Sequence, residues 1–215
     1  MELYNLPHSP YAARVRMLIY ERDLAVDLCD PPGGMGSEEY RSLTVMGKVP
    51  VLKHGDRYLS ESTAIMEYLE ALYPDGKLTP EDAWQRSQQS AMIRYVDLYF
   101  AQALFPLFQQ MKASPRDQQV VDAALVNLSA ELKRLQAWYE LPELAPSSSL
   151  SLADCVVMPV LFYVVSLSPF FGENEPLLAT PVLAERWAWA QEQAASKRVL
   201  GEMAAGLKAM MSPAN

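Results

Sequence analysis

Residues 47–69 read GKVPVLKHGDRYLSESTAIMEYL and predict a β-hairpin that leads into a helix. Two short apolar segments, 49–53 and 57–59, flank His54-Gly55-Asp56, in which glycine and aspartate suit a tight turn. From Ser60 onward, four apolar residues follow the i, i+3, i+4, i+7 spacing of one helical face, namely Ile65, Tyr68, Leu69 and Leu72. The stretch therefore predicts two antiparallel strands followed by a helix.

The residues before this stretch alternate strand and helix patterns. Segments 2–5 and 25–28 read as short strands, and segment 14–22 places apolar residues on one helical face. Pro-Pro-Gly-Gly at 31–34 interrupts the pattern. Residues 1–75 are therefore expected to follow the order β-α-β, an irregular or helical segment, and then β-β-α.

The residues after the linker-like segment 73–80 are expected to be helical. Segment 77–171 contains no glycine, which favours long helices, and Ser151 and Asp154 form a capping box. Two more helices are predicted at 181–194 and 196–211. Two apolar stripes at helical spacing support this: Met92, Val96, Tyr99, Phe100, Ala103 and Leu107, then Val121, Leu125, Leu128, Leu132, Leu135 and Tyr139. The predicted fold class is an α/β domain at 1–75 followed by an all-helical domain at 81–215.

The composition excludes several classes of protein. Half of the 215 residues are hydrophobic and a fifth are charged, as in folded soluble proteins. The 18 basic and 26 acidic residues give a net charge of −8, which argues against general binding to nucleic acid or anionic membranes. Cys29 and Cys155 form no paired motif, and His8 and His54 are the only imidazoles. Neither a disulfide framework nor a metal site is expected.

The sequence also predicts a location in the cell. The first residues lack the positive and apolar regions of a secretory signal. The longest apolar run, 155–165, contains Pro159 and is shorter than the ~20 residues of a membrane span. We expect a reduced, cytoplasmic protein.

Residues 8–12, His-Ser-Pro-Tyr-Ala, lie between the first predicted strand and the first predicted helix. They resemble the Cys-Pro-Tyr-Cys motif of glutaredoxins, with Ser9 and Ala12 in place of the two cysteines. A helix N-terminus favours a thiolate, but this chain has no sulfur there. If the site is functional, the thiol comes from a ligand; otherwise Ser9 is an ordinary helix cap.

Two further features follow in the hairpin and helix. Val49-Pro50 matches the place where thioredoxin-like folds have a cis-proline, whose preceding backbone pairs with a bound peptide. A plain strand start is the alternative interpretation. Glu61-Ser62 precedes a helix, where free N–H groups and a hydroxyl can hold a carboxylate, or where the pair simply caps the helix.

Together these features resemble the cytosolic glutathione transferase superfamily, in particular bacterial members with a serine-type, zeta-like or related site. The segments that carry the resemblance are 9–16, 47–52, 61–69 and 151–154. It implies a thioredoxin-like N-terminal domain, an all-helical C-terminal domain and glutathione as co-substrate. It also implies a homodimer, in which the 61–73 helix of one subunit faces the 81–107 helix of the other.

The resemblance also implies roles for single residues. Ser9 would donate a hydrogen bond to the glutathione sulfur. Val49 would pair through its backbone with the cysteinyl part of glutathione, with Pro50 in the cis form. Glu61 and Ser62 would hold the amino and carboxylate groups of the γ-glutamyl part.

Other assignments concern neighbouring groups. Lys48 is expected near the glycyl carboxylate, and Asp154 matches a structural capping residue of the family. Tyr4 or Tyr11 remains an alternative to Ser9 as the donor to the glutathione sulfur. His8 could line the site, but it is expected to be simply exposed. An apolar electrophile would lie beside Tyr11, against side chains that could equally be core: Phe105, Phe108, Met111, Tyr163 and Phe170.

Three functions are compatible with the resemblance. The first is conjugation of the glutathione thiolate to small apolar electrophiles. The second is glutathione-dependent isomerisation of the maleylacetoacetate or maleylpyruvate type, which Ser9 and segment 14–16 resemble, although Pro10-Tyr11 replaces part of that class's Ser-Ser-Cys run. The third is a non-catalytic interaction protein that resembles the stringent starvation protein, which binds RNA polymerase.

Overall fold

The computed structural model describes residues 1–211 of the chain. Its sheet has the strand order β2-β1-β3-β4, with β1 parallel to β2 and antiparallel to β3, and β3 antiparallel to β4. The strands are β1 (Glu2–Tyr4), β2 (Asp27–Cys29), β3 (Val51–His54) and β4 (Arg57–Ser60).

Nine α-helices occur among the described residues: α1 (Pro10–Glu21), α2 (Glu38–Leu43), α3 (Ser62–Leu72), α4 (Ala83–Tyr95), α5 (Phe105–Lys112), α6 (Gln118–Tyr139), α7 (Leu152–Leu167), α8 (Pro181–Glu192) and α9 (Ala194–Met211). A π-helical turn (Val96–Phe100) and a 3₁₀ turn (Ala101–Leu104) connect α4 to α5, and a second 3₁₀ turn (Ser168–Phe171) follows α7.

The chain divides into two compact units. The first contains Met1–Leu78 together with the segment from Glu192 onward, and the second is Thr79–Gln191. In the first unit, α1 packs against both α3 and α9. The sequence pattern assigns all of 81–215 to the helical domain. In the structure, α9 packs with residues 1–78 instead.

The hairpin predicted from residues 47–69 is confirmed. Val51 pairs with Ser60 and His54 pairs with Arg57, so that Gly55 and Asp56 form the turn. Gly55 has a φ of 60°, a left-handed conformation that glycine adopts without a steric penalty. The glycine therefore explains why the turn forms at this place.

Several predicted segments of the first unit have different bounds in the structure: the first strand ends at Tyr4 instead of residue 5, the first helix covers Pro10–Glu21 instead of 14–22, and the third strand covers Val51–His54 instead of 49–53. The second strand covers Asp27–Cys29 instead of 25–28, because its pairs with β1 run from Glu2 with Asp27 to Tyr4 with Cys29. The segment left open as irregular or helical contains α2, which begins at the capping residue Ser37.

The single helix predicted at 81–107 is interrupted. Pro106 has no N–H to donate, and its ring conflicts with the carbonyl one turn earlier, so regular hydrogen bonding ends before α5. The π turn and the 3₁₀ turn occupy the region before it. These two turns change the angle between successive residues of the predicted apolar stripe 92–107. As a result, Phe100 is buried but Tyr99 is exposed. Tyr99 therefore does not share the buried face that contains Phe100.

The core of the second unit contains α7. Its capping box is present: the Ser151 hydroxyl accepts from the Asp154 N–H, and the Asp154 carboxylate accepts from the Ser151 N–H. Among the described residues, Leu152–Phe171 is long and apolar enough to cross a membrane, but most of this stretch is buried inside the protein. Its hydrophobicity is accounted for by its place in the core.

Candidate functional site

The three segments singled out in the sequence leave the sheet at one edge. Tyr4 pairs with Val51, and Val51 pairs with Ser60, so these residues form one row across β1, β3 and β4. Segment 5–9 follows the end of β1, Val49-Pro50 precedes the start of β3, and Glu61 follows the end of β4. Since neighbouring strands are ~4.8 Å apart, the three segments emerge within roughly 10 Å of one another.

Ser9 caps the first helix of this edge. Its hydroxyl oxygen accepts from the Ala12 N–H at 3.2 Å, and the residue is 9% exposed. A hydroxyl that accepts this bond still has its own hydrogen to donate. The capping role and the donor role therefore do not exclude each other, and Ser9 can cap α1 and donate to an anion at the same time.

Glu61 and Ser62 begin α3 with an unusual backbone. Glu61 has a φ of 72°, which is costly for a residue with a side chain, and its side chain makes no capping hydrogen bond. The first N–H groups of a helix lack partners within the helix and attract anions. Ser62 is only 5% exposed. Such a geometry is typical of a segment held in place for a ligand.

Val49 and Pro50 have the expected backbone geometry. The peptide bond between them is cis, Pro50 is buried and Val49 is half-buried just before β3 begins. The preceding loop is fixed by the Tyr40 hydroxyl, which donates to the Lys48 carbonyl at 2.9 Å. The Lys48 side chain is exposed.

The tyrosines near this edge have different environments. Tyr4 is buried in a cluster with Tyr40 and Val51, and its burial raises the pKa of its hydroxyl. Burial likewise raises the pKa of Tyr40 to about 12. Tyr11 is half-buried, with the Arg14 guanidinium 4.6 Å from its ring centre. The raised pKa keeps the Tyr4 hydroxyl protonated, and its side chain lies in the core cluster of the first unit.

The apolar side chains proposed as a substrate wall lie in the second unit. Phe105, Phe108 and Met111 are three residues apart on α5 and so share one face of that helix. Phe108 meets Tyr163 edge to face at 5.1 Å. Tyr163 is buried, and this burial raises its pKa to about 12, whereas Phe105 and Phe170 are about half exposed. Tyr163 therefore behaves as core, and the α5 face offers the accessible apolar surface.

His8 is half-buried, so the expectation of an exposed side chain was wrong. Its burial and the nearby Arg16 lower the pKa of its imidazole. The reason is the packing of α9 next to it, which the sequence pattern did not predict. Among residues 1–211, no cluster of three or more His, Cys, Asp or Glu side chains could hold a metal ion.

Sequence comparisons agree with this geometry. Residues 3–79 match the family described as "Glutathione S-transferase, N-terminal domain", and residues 95–180 match "Glutathione S-transferase, C-terminal domain". The chain belongs to the glutathione transferase superfamily. The resemblance inferred from the sequence is thus confirmed, as is the thioredoxin-like fold followed by a helical domain.

Individual relatives of this transferase-family chain differ in coverage. "Glutathione S-transferase 1" of Dianthus caryophyllus is 38% identical over 40% of this chain and 41% of its own length. A "Stringent starvation protein A homolog" of Coxiella burnetii is 26% identical over 82% of this chain and 79% of its own. The chain spans less than half the length of several of the curated relatives that it matches.

A solved transferase has the same fold as this family member. The glutathione S-transferase of Methylobacillus flagellatus, crystallised with glutathione bound, superposes with a TM-score of 0.74 over 92% of this chain and 98% of its own. The two are 24% identical. At this identity, the likeness establishes the shared fold.

Proposed function

We propose that this protein is a glutathione transferase that activates the glutathione thiol with Ser9 and conjugates it to small apolar electrophiles. The observation that carries the proposal is the geometry of Ser9, which caps α1 through its oxygen and keeps its hydrogen for a second partner. The family match supports glutathione as the substrate. Detoxification in the cytoplasm is the setting we propose for this reaction.

The proposed activation requires a modest free energy. A free thiol has a pKa of ~8.5, so only a few per cent is thiolate at neutral pH. Lowering that pKa by ~2 units requires ~2.7 kcal/mol of selective stabilisation of the thiolate. A hydroxyl donor at Ser9 and the N-terminus of α1 are together sufficient for this. The thiolate then attacks the electrophilic carbon, for example that of an aryl halide: a carbon–sulfur bond forms, the carbon–halogen bond breaks, and the halide leaves with the bonding electron pair.

The rest of glutathione is proposed to lie along the same sheet edge. Val49 would pair through its backbone with the cysteinyl part, beside the cis Pro50. Glu61 would hold the γ-glutamyl amino group, and Ser62 with the N-terminus of α3 would hold the γ-glutamyl carboxylate. Lys48 is exposed and can reach toward the glycyl carboxylate.

Replacing Ser62 by alanine tests this placement. The carboxylate would lose a charge-assisted hydrogen bond worth ~1.5–3 kcal/mol, so glutathione affinity is expected to fall roughly 10- to 100-fold. Titration calorimetry with glutathione measures this. Ser87→Ala, which removes an exposed helical hydroxyl of the second unit, is expected to bind as tightly as the wild type. Equal affinity of both variants would place the ligand elsewhere.

The electrophile is proposed to be apolar. Phe105, Phe108 and Met111 form a partly accessible face of α5, and such a surface favours an apolar partner. Aryl halides are therefore suitable substrates for a first assay.

A second candidate is a non-catalytic interaction protein. It is favoured by the stringent starvation protein homolog, whose match extends over 82% of this chain. The two candidates differ in whether the wild-type chain binds glutathione. Absence of any calorimetric signal at millimolar glutathione would favour the interaction protein and contradict the transferase.

The homodimer remains a prediction as well. Several large apolar residues of the two helical regions expected to meet between subunits are exposed in the single chain: Tyr68, Leu72, Trp84, Leu98 and Tyr99. Burial of such residues would favour association. Equilibrium sedimentation at micromolar concentration is expected to give twice the 24.1 kDa mass of one chain. A mass of one chain at all concentrations would contradict the dimer.

A further inference from the structure

The last described helix contacts the turn that precedes Ser9. Leu6 and Ser9 close a tight turn, since the Ser9 N–H donates to the Leu6 carbonyl at 3.0 Å. Pro7 and His8 are its two central residues, and proline suits the first of these positions. At Gly206 of α9, an added Cβ would lie 2.9 Å from the His8 backbone nitrogen and 2.9 Å from the Pro7 Cβ. The helix backbone thus rests directly on the turn.

A buried arginine makes the second connection. Arg16 is 1% exposed, and one nitrogen of its guanidinium donates to the Pro7 carbonyl at 2.6 Å. Its other terminal nitrogen contacts the Glu202 carboxylate on α9 at 2.5 Å. The same carboxylate accepts from the Tyr20 hydroxyl at 2.9 Å and from Arg198 at 3.2 Å. Glu202 therefore orients the guanidinium that holds the turn.

We propose that Gly206 and Glu202 are positioning residues for the Ser9 hydroxyl, acting through the Pro7-His8 turn. The proposal rests on the proposed function of Ser9 as the donor to the glutathione sulfur. Ser9 is the last residue of the turn and the first cap of α1, so a shift of the turn moves its hydroxyl directly. Moving the Ser9 hydroxyl changes the distance and angle of its proposed hydrogen bond to the glutathione sulfur, and hydrogen bonds weaken steeply as these depart from the optimum.

The contacts of α9 also explain why position 206 is a glycine and position 202 a glutamate. Only glycine leaves room for the close approach, since the neighbouring atoms are a backbone nitrogen and a proline ring that cannot turn aside. The Glu202 carboxylate binds one terminal nitrogen of Arg16 through a charge-assisted hydrogen bond and leaves the other terminal nitrogen to donate to the Pro7 carbonyl.

Gly206→Ala tests the proposal, with Gly201→Ala as the matched control. Both glycines lie in α9, but a Cβ at Gly201 meets no atom within 4 Å. Alanine has a higher helix propensity than glycine at either position, and at Gly201 it displaces no neighbour, so Gly201→Ala is expected to fold and to keep the wild-type Ala12 exchange rate and thiol pKa. In Gly206→Ala the turn must shift. The Ala12 N–H, bound to the Ser9 oxygen, is then expected to exchange with solvent about tenfold faster in NMR measurements.

Two measurements on bound glutathione, its thiol pKa and its affinity, test the functional effect of Gly206→Ala. Ultraviolet titration of bound glutathione is expected to give a thiol pKa about one unit higher in Gly206→Ala, which is about a tenfold smaller ratio of thiolate to thiol at a given pH. The affinity for glutathione should stay within about threefold, since Glu61 and Ser62 are untouched. Wild-type values for both Ala12 exchange and thiol pKa in Gly206→Ala would overturn the proposal.

Glu202→Gln provides a second variant in case Gly206→Ala does not fold. It keeps an acceptor for Arg16 but removes the charge, and is expected to change Ala12 exchange and thiol pKa in the same direction. Glu192→Gln, at an exposed ion pair, is its control. An unchanged Ala12 exchange in Glu202→Gln contradicts the positioning role. A wild-type chain that binds no glutathione contradicts the proposed function instead, and Ala12 exchange still tests the contact with α9.

Discussion

Asp154→Ala is expected to lower the free energy of unfolding of the helical unit by about 3–5 kcal/mol. Asp154 is 1% exposed, and its carboxylate binds the Arg186 guanidinium through two hydrogen bonds of 2.9 and 2.6 Å. It also accepts from the Tyr139 hydroxyl at 2.9 Å and from Ser151. One carboxylate thus joins α6, α7 and α8.

The large effect follows from what the substitution leaves behind. Arg186 is buried and keeps only the Ser147 and Ser149 carbonyls as hydrogen-bond partners, with the Trp189 ring beside it. A buried guanidinium without a carboxylate is a costly uncompensated charge. The Tyr139 hydroxyl loses its acceptor as well.

Urea unfolding followed by circular dichroism measures the change. The control is Asp82→Ala, because Asp82 caps α4 by accepting from the Gln85 N–H at 2.9 Å but is exposed. Loss of an exposed cap is expected to cost only about 1 kcal/mol. Equal losses in the two variants would mean that the Asp154 contacts contribute no more than an ordinary cap.

Ser9→Cys is expected to replace conjugation by thiol–disulfide chemistry. The new thiol would lie at the N-terminus of α1, which lowers its pKa, and next to the glutathione sulfur. Its thiolate attacks oxidised glutathione, one mixed disulfide forms, and one glutathione thiolate leaves. Mass spectrometry should find the adduct on the introduced thiol, and a reductant should remove it. We expect this variant to gain thiol-reductase activity.

Ser9→Ala separates the donor role from this new chemistry. It would remove the proposed hydrogen bond to the thiolate, worth ~1.5–3 kcal/mol, and conjugation is expected to fall roughly 10- to 100-fold. Ser37→Cys is the control for the cysteine variant, since Ser37 also caps a helix but lies at the start of α2. If S9C forms no adduct and retains wild-type conjugation, the donor is not Ser9, and Tyr11 is the next residue to test.

Several elements of both units could be predicted because the sequence signals that specify them are local. Gly55 and Asp56 mark the hairpin turn, and Ser9-Pro10 marks the beginning of α1. The capping box of α7 lies within four residues, 151–154, and is present as predicted. Each of these features depends on neighbours in sequence, which a pattern of residue types describes well.

The features that escaped prediction depend on residues far apart in sequence. Arg16 and Glu202 meet across 186 positions, and nothing in either segment indicates the other. The glycine at 206, inside an apolar helix pattern, was the available signal for a close approach. The left-handed φ of Glu61 was equally hidden, because glutamate rarely adopts that conformation without support from its surroundings.

The return of α9 to the first unit determines the order in which the protein can be completed during synthesis. α1 is made early, but its partner begins only at Ala194, after all of Thr79–Gln191 has been translated. At a translation rate of ~5–20 residues per second, the surface of α1 that α9 later covers stays uncovered for on the order of 10 s after it is made. The helical unit can therefore fold first, although it begins later in the chain, and the unit that carries Ser9 is finished last.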